Sequence, residues 1–218
     1  MIIDPKDHFF GDIHNIMIGS IVPRPIAFIS SISKDGVPNL APFSYFNGVC
    51  SNPPTIMFAP GRRGYDGISK DTLNNIRATE QFVVNIVSED IADQMVACST
   101  DYEPEVDEFK ISSLTAFPSQ KVSPPRVGES KVSFECKLNQ IVKIGGDGPG
   151  SGFVVIGTIV LFHINDEVYS DGRILLDELR PLGRLAGNWY TRITDTLKIV
   201  RQVKPDSSTP PASDREKD

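Results

Sequence analysis

Three cations stand close together in a chain that is acidic overall. The stretch GRRGYDGISKDTLNNI, Gly61 to Ile76, sets Arg62, Arg63 and Lys70 just ahead of a helical pattern, while the formal net charge of the whole chain is −6. A helix N-terminus already carries partial positive charge, so cations gathered there cost stability unless an anion sits among them. Two guanidinium groups, one ammonium, the Thr72 hydroxyl and the free N–H groups of the first helical turn together suit a terminal phosphate. Neither GxxxxGK[ST] nor GxGxxG is present, so the cluster is not a P-loop or a dinucleotide fingerprint. The competing reading is a solvated basic loop in which Ser69 or Asp71 caps the helix.

A second stretch, NLAPFSYFNGVCSNPPTIMF from Asn39 to Phe58, groups Phe43, Tyr45 and Phe46 around Ser44. Pro42 lacks a donor for a strand ladder, which predicts local irregularity and leaves neighbouring backbone groups for a ligand. Such a wall matches a flat heterocycle that accepts and donates hydrogen bonds. Periodicity alone favours a barrel core strand instead. His163, near the end of a long strand pattern, reads as a half-buried strand residue rather than a catalyst. Glu103 and Glu105 lie on a Pro-interrupted segment and read as surface. No Ser-His-Asp or Cys-His arrangement is present, and His8, His14 and His163 show no metal-ligand spacing.

The elements that must position these residues are mostly strands. Pro25 to Ile32 is β-rich, and Asp35-Gly36 after it is a hairpin signal. Next come a short Pro-fenced strand in PTIMFAP, a short helix in TLNNIRAT and a buried strand from Gln81 to Val87. SEDIADQMVACS predicts an amphipathic helix capped by Ser88, with Ile91, Met95 and Val96 on one face. KVSFECKLNQIVKI alternates like a strand, and GFVVIGTIVLFHINDEVY is β-branched throughout, with the flexible loop GGDGPGSG between them. At least six strands without βαβ alternation argue against a Rossmann sheet and for a mainly β protein, an antiparallel closed or split barrel with short peripheral helices. Residues 1–203 read as one domain. From Lys204 to Asp218 the chain is Pro, Ser and charge with no apolar anchor, which predicts a disordered tail.

Composition bounds the rest. An acidic balance, with pI near 5.1, argues against a nucleic-acid groove. Cys50, Cys98 and Cys136 form no CxxC pair and read as reduced, mostly buried thiols of a cytoplasmic protein. MIIDPKDHFF does not read as a signal peptide, and no stretch approaches the roughly 18 apolar residues of a membrane span.

Taken in order, RPIAFISSISKDGVPNLAPFSYFNGVCSNPPTIMF, KDTLNNI, FVVNIV and RPLGRLAGNWY resemble the flavin reductase-like family of FMN-binding split barrels, from about Arg24 to Tyr190. That family includes flavoredoxin and the flavin reductase components of two-component monooxygenases. The resemblance implies noncovalent FMN at a homodimer interface. It implies that Asn39, Leu40, Ala41, Pro42, Phe43 and Ser44 meet the isoalloxazine and ribityl chain. Arg62, Lys70 and Thr72 would hold the phosphate, with Arg62 placed ahead of Arg63 and Asp71 as the helix N-cap. Arg184, Leu185, Gly187 and Tyr190 would lie near the flavin; Ala186 stands where the family often has glycine. The implied activity is NADH- or NADPH-dependent flavin reduction, with electrons passed to a monooxygenase or another acceptor. An FMN electron carrier without NAD(P)H activity and a flavoprotein that uses O₂ directly are the alternatives. No catalytic residue is implied, because hydride transfer needs no acid or base.

Overall fold

The computed structural model describes residues 1–200, and the tail expected from Lys204 lies outside them. A 3₁₀ turn at Pro5–Asp7 leads into helix α1 (Phe10–Ser20). Strands β1 (Ala27–Ile32), β2 (Pro38–Phe43), β3 (Phe46–Ser51) and β4 (Pro54–Phe58) follow, then helix α2 (Asp71–Thr79) and β5 (Gln81–Ile86). Helices α3 (Ala92–Ala97) and α4 (Glu108–Ser112) precede a small ribbon of β6 (Ala116–Phe117) and β7 (Arg126–Val127). The long strands β8 (Val132–Ile144) and β9 (Gly152–Ile164) come next. The chain then runs through β10 (Tyr169–Ser170), β11 (Arg173–Ile174), α5 (Leu176–Leu179), β12 (Leu182–Arg184) and β13 (Tyr190–Arg192).

Seven strands form one sheet in the order β2-β1-β5-β8-β9-β4-β3, every neighbouring pair antiparallel. The two outermost strands, β2 and β3, are consecutive in the chain and meet at a corner through Ser44 and Tyr45. The sheet therefore curls until its two edges face one another without pairing, which is the split of a split barrel. Asp35-Gly36 makes the β1–β2 turn as expected, with Gly36 at φ +85°, a conformation open mainly to glycine.

Both faces of the sheet are covered. β1 alternates Ala27 and Ile29 toward one core, where Phe43, Phe58, Phe82, Val155 and the α2 residues Leu73 and Ile76 pack. The chain sends Ile26 and Phe28 toward a second core with Leu40, Ile91, Met95 and Phe109. Each fully buried side chain of this size contributes on the order of 1.5–3 kcal/mol, so the two cores fix β1 and β2 from both sides.

Three local expectations change. β2 is not irregular at Pro42: its register with β1 is unbroken from Pro38 to Phe43. The N–H of Leu40 leaves the sheet to reach Glu108, so Pro38 and Pro42, two residues away on either side, place their missing donors on that same outer edge. Asp71 does not cap α2. Lys70 occupies the cap position, no side chain closes the first turn, and Asp71 is the first helical residue, paired with Arg63. Ser88 does not cap a continuous helix either. Its hydroxyl is buried without a partner, residues 89–91 form a 3₁₀ turn, and α3 covers only Ala92–Ala97. Ile91 and Met95 are buried there, but Val96 is exposed, because it follows Met95 in the same helix and adjacent helical residues do not share a face.

Candidate functional site

A cleft opens where the N-terminus of α2 faces the outer edge of β2. Asn39, Ala41, Pro42 and Phe43 form one wall, and Arg63, Lys70, Asp71 and Thr72 form another. The turn of residues 98–102 after α3 closes the third side, and Glu108 lies at the base. The short loop from β4 delivers Arg63, and the start of the helix delivers Lys70 and Thr72.

The charges at the mouth are arranged in pairs. The Arg63 guanidinium reaches Asp71 Oδ2 at 3.1 Å, and Lys70 Nζ reaches Asp101 Oδ1 at 2.8 Å. Burial would push Arg63 down, but the Asp71 and Asp101 carboxylates and Tyr65 more than offset it and raise it. Its Nε, like those of Arg62 and Arg126, is buried with no protein partner. At the first turn of α2 the N–H groups of Leu73 and Asn74 bond to Lys70 O, while those of Asp71 and Thr72 have no acceptor among the described residues. Two cations, each paired with a carboxylate, and the first turn of α2 thus line one cavity.

Arg62 points elsewhere. It donates to Gly67 O at 2.9 Å, pairs with Asp147 at 2.8 Å and stacks over the Phe153 ring at 5.1 Å. Its bonds tie the β8–β9 turn, which includes the glycine-rich stretch, to the loop after β4. The structure therefore brings Arg63, and not Arg62, to the other expected phosphate residues. Thr72 is 1% exposed, and its hydroxyl donates to Asn39 Oδ1 at 2.7 Å, so the hydroxyl expected to meet the phosphate is already spent on β2.

Among the six residues expected from β2 and its corner, Asn39, Ala41, Pro42 and Phe43 line the cleft. Leu40 does not: its side chain is fully buried in the second core and its N–H is held by Glu108 at 3.0 Å. Ser44 accepts a hydrogen bond from Arg24 Nε at 3.3 Å. Arg24 is 4% exposed and also donates to Ile18 O, Ile21 O and Leu185 O, at 2.7–3.0 Å. One buried guanidinium thus joins α1, the β2–β3 corner and the late segment. In that segment Arg184 stacks on Tyr190 at 4.5 Å, and Gly187 takes the positive φ of the turn between them. Ala186 is not at a positive φ, so the residue that differs from the family habit meets no backbone strain.

Sequence reasoning missed Arg24 and Glu108. Arg24 sits in IVPRPIAF, where nothing marks a buried hub. Glu108 follows the Asp107 cap of α4 and reads as a surface residue of a short helix. It is 5% exposed, and burial pushes its carboxyl up against the hydrogen bonds from Leu40 and Asn39. Cys98 lines the cleft, but burial pushes its thiol up to about 11, so it offers no thiolate near neutral pH. His163 Nε2 lies 2.5 Å from Glu135 Oε1, away from the cleft lining. Among the described residues no cluster of three or more His, Cys, Asp or Glu is placed to hold a metal ion. No described helix is long and apolar enough to cross a membrane.

The antiparallel split barrel has relatives among known proteins. Residues 18–182 match the family described as flavin reductase like domain. The chain is similar to the crystal structure of nitrilotriacetate monooxygenase component B from Bacillus cereus, with a TM-score of 0.87 at 35% identity, covering 91% of this chain and 98% of that one. It is also similar to the 2-nitrobenzoate 2-nitroreductase of Pseudomonas fluorescens, with a TM-score of 0.81 at 32% identity over 96% of this chain and 100% of that one. A protein of Halalkalibacterium halodurans is 39% identical over 190 residues, 86% of this chain and 90% of the relative. The chain belongs to the flavin reductase-like family, and the resemblance seen in the sequence holds across the whole barrel.

Proposed function

We propose that the protein binds FMN noncovalently and acts as an NADH- or NADPH-dependent flavin reductase. The observation that supports this best is the convergence of Arg63, Lys70 and the first turn of α2 on a cleft walled by β2. A terminal phosphate monoester fits those donors, and FMN ends in one where riboflavin does not. In this reading Arg63 and Lys70 exchange part of their pairing with Asp71 and Asp101 for the phosphate. The Pro42 edge presents backbone without competing N–H groups, and Phe43 sits at the isoalloxazine end. Arg24 ties Ser44 to Leu185 at the end of β2, outside the residues that line the cleft. FMN, when bound, supplies the hydride-accepting ring; the chain supplies position and a polar frame for it. Similarity to a monooxygenase component B supports a partner oxygenase as the electron acceptor.

A homodimer completes the proposal. α1 has no buried residue, and it exposes Phe10, Ile16 and Met17. β3 is exposed along nearly its whole length. A two-fold partner is the commonest cover for such surface. A cytoplasmic location is proposed with it, in keeping with two buried free thiols and one exposed.

A second reading rests on the similarity to a nitroreductase at 32% identity: the flavin stays bound and reduces an organic substrate at the same cleft. One experiment separates these and the carrier reading. The purified protein is titrated with NADH and NADPH under anaerobic conditions while the flavin absorbance is followed. Rapid bleaching with release of reduced flavin on dilution is expected. Bleaching with retention favours the nitroreductase-like reading. No bleaching by either nucleotide refutes the reductase and leaves the electron carrier.

A further inference from the structure

Glu108 is a buried carboxylate that no step of the proposed chemistry uses. Its Oε1 accepts from Asn39 Nδ2 at 2.7 Å, and its Oε2 accepts from the Leu40 N–H at 3.0 Å. Asn39 is thereby fixed with its amide oxygen pointing the other way. That oxygen accepts from Thr72 Oγ1 at 2.7 Å and from Ser31 Oγ at 3.3 Å, and Ser31 in turn accepts from Asn75 at 3.2 Å. The path runs from α4 through β2 to the first turn of α2, and back through β1 to the same helix.

A neutral acceptor could satisfy the Leu40 N–H alone, and burying a carboxylate is expensive. What the carboxylate adds is acceptance on both oxygens with no donor of its own. That property dictates which way the Asn39 amide faces. The amide direction then dictates that Thr72 spends its hydroxyl on Asn39, which locks the helix turn that lines the cleft. We propose that Glu108 is a positioning residue: through Asn39 and Thr72 it sets the first turn of α2 at the distance from β2 that a flavin phosphate requires. The inference rests on the flavin reading of this cleft.

The test is a charge swap within the pair. Glu108→Gln places amide donors against Asn39 Nδ2 or Leu40 N, so one bond of the pair is lost. Adding Asn39→Asp restores the pattern: the introduced amide accepts from Leu40 N and donates to the introduced carboxylate, which still accepts from Thr72 and Ser31. FMN and riboflavin affinities are measured for wild type, Glu108→Gln and the double variant by quenching of flavin fluorescence. The single variant should lose about tenfold or more in FMN affinity, the size of one buried unsatisfied group. Its riboflavin affinity should stay within about twofold, and the double variant should recover most of the loss. A single variant that binds FMN as well as wild type overturns the proposal. So does a parallel loss of both flavins, which would mean general support of the fold. Failure of the double variant to fold or to restore the FMN preference also overturns it. If the single variant does not fold, the double variant decides alone. A wild type with no preference for FMN over riboflavin refutes the phosphate site itself, and that result is read before any variant is made.

Discussion

Replacing Arg63 by alanine isolates the charge in the cradle from the architecture around it. The guanidinium side chain is only 16% exposed, and it makes an ion pair with Asp71 while keeping Nε unpartnered. A charge-assisted hydrogen bond contributes about 1.5–3 kcal/mol. At about 1.4 kcal/mol per decade, Arg63→Ala should weaken FMN binding by roughly 10- to 150-fold. Loss of the arginine also leaves the Asp71 carboxylate facing the phosphate, so the upper part of that range is expected. The helix N-terminus steadies Asp71 by only about 0.3–1 kcal/mol, too little to let the fold absorb the change unnoticed, so a small drop in melting temperature should accompany it. Riboflavin lacks the phosphate, and its affinity should move by less than about twofold. Arg62→Ala is the internal control. It removes the bonds to Gly67 and Asp147 and the stack on Phe153, which should lower stability and leave the FMN-to-riboflavin ratio alone. Flavin fluorescence titrations of both variants with both ligands supply every affinity the comparison needs. If Arg62→Ala abolishes the preference and Arg63→Ala preserves it, the assignment of the cradle is wrong.

Stability should also respond to acid through Glu135. Burial pushes this carboxyl up, but the N–H of Gln120, the ring of His163 and the N–H of Lys121 more than offset it and hold it below the ordinary carboxylate range. A depressed carboxyl stabilises the fold above its unfolded value, about 4.3, and that contribution fades as pH falls through the folded value. Melting curves from about pH 7 down to about pH 3 should show wild type and Glu135→Gln converging at the acid end; a constant gap would rule this out. Gly157→Ala drives a Cβ into Phe82 Cζ in the barrel core, and overpacking of this kind costs about 1–3 kcal/mol, to be read by chemical denaturation with an unchanged m-value. Light scattering at micromolar concentration should give a dimer, and Ile16→Asp on the exposed face of α1 should shift it to monomer; a wild-type monomer with flavin bound would rule out the two-fold cover.

Much of the barrel was legible because its signals are local. Asp35-Gly36, the β-branched runs of β5 and β9 and the alternation of β8 each specify their own element. The misreadings come from partners distant in sequence. Pro42 looks disruptive until the strand is known to be an edge, and only the bond between Leu40 and Glu108, 68 residues apart, shows which side its missing donor faces. Arg62 and Arg63 are equivalent on paper. Asp147, 85 residues away, claims one of them, and what remains faces the cleft. Asp71 has the composition of a cap but is drawn into a pair with Arg63. Glu108 has the composition of surface and becomes the base of the cleft.

The strand order has a consequence for the birth of the chain. Thr55 pairs with Thr158, so β4 must wait for roughly a hundred more residues before its second neighbour is made. At about 5–20 residues per second, the β3–β4 hairpin leaves the ribosome about 5–20 s before β9 exists. Through that interval an apolar strand that will be interior, with Ile56 and Phe58 on it, has one side unpaired. Pro53, Pro54 and Pro60 bracket that strand, and prolines at the ends of an unpaired strand hinder edge-to-edge association. The fence of prolines that marks β4 in the sequence thus guards a nascent chain during the seconds when the barrel cannot yet close.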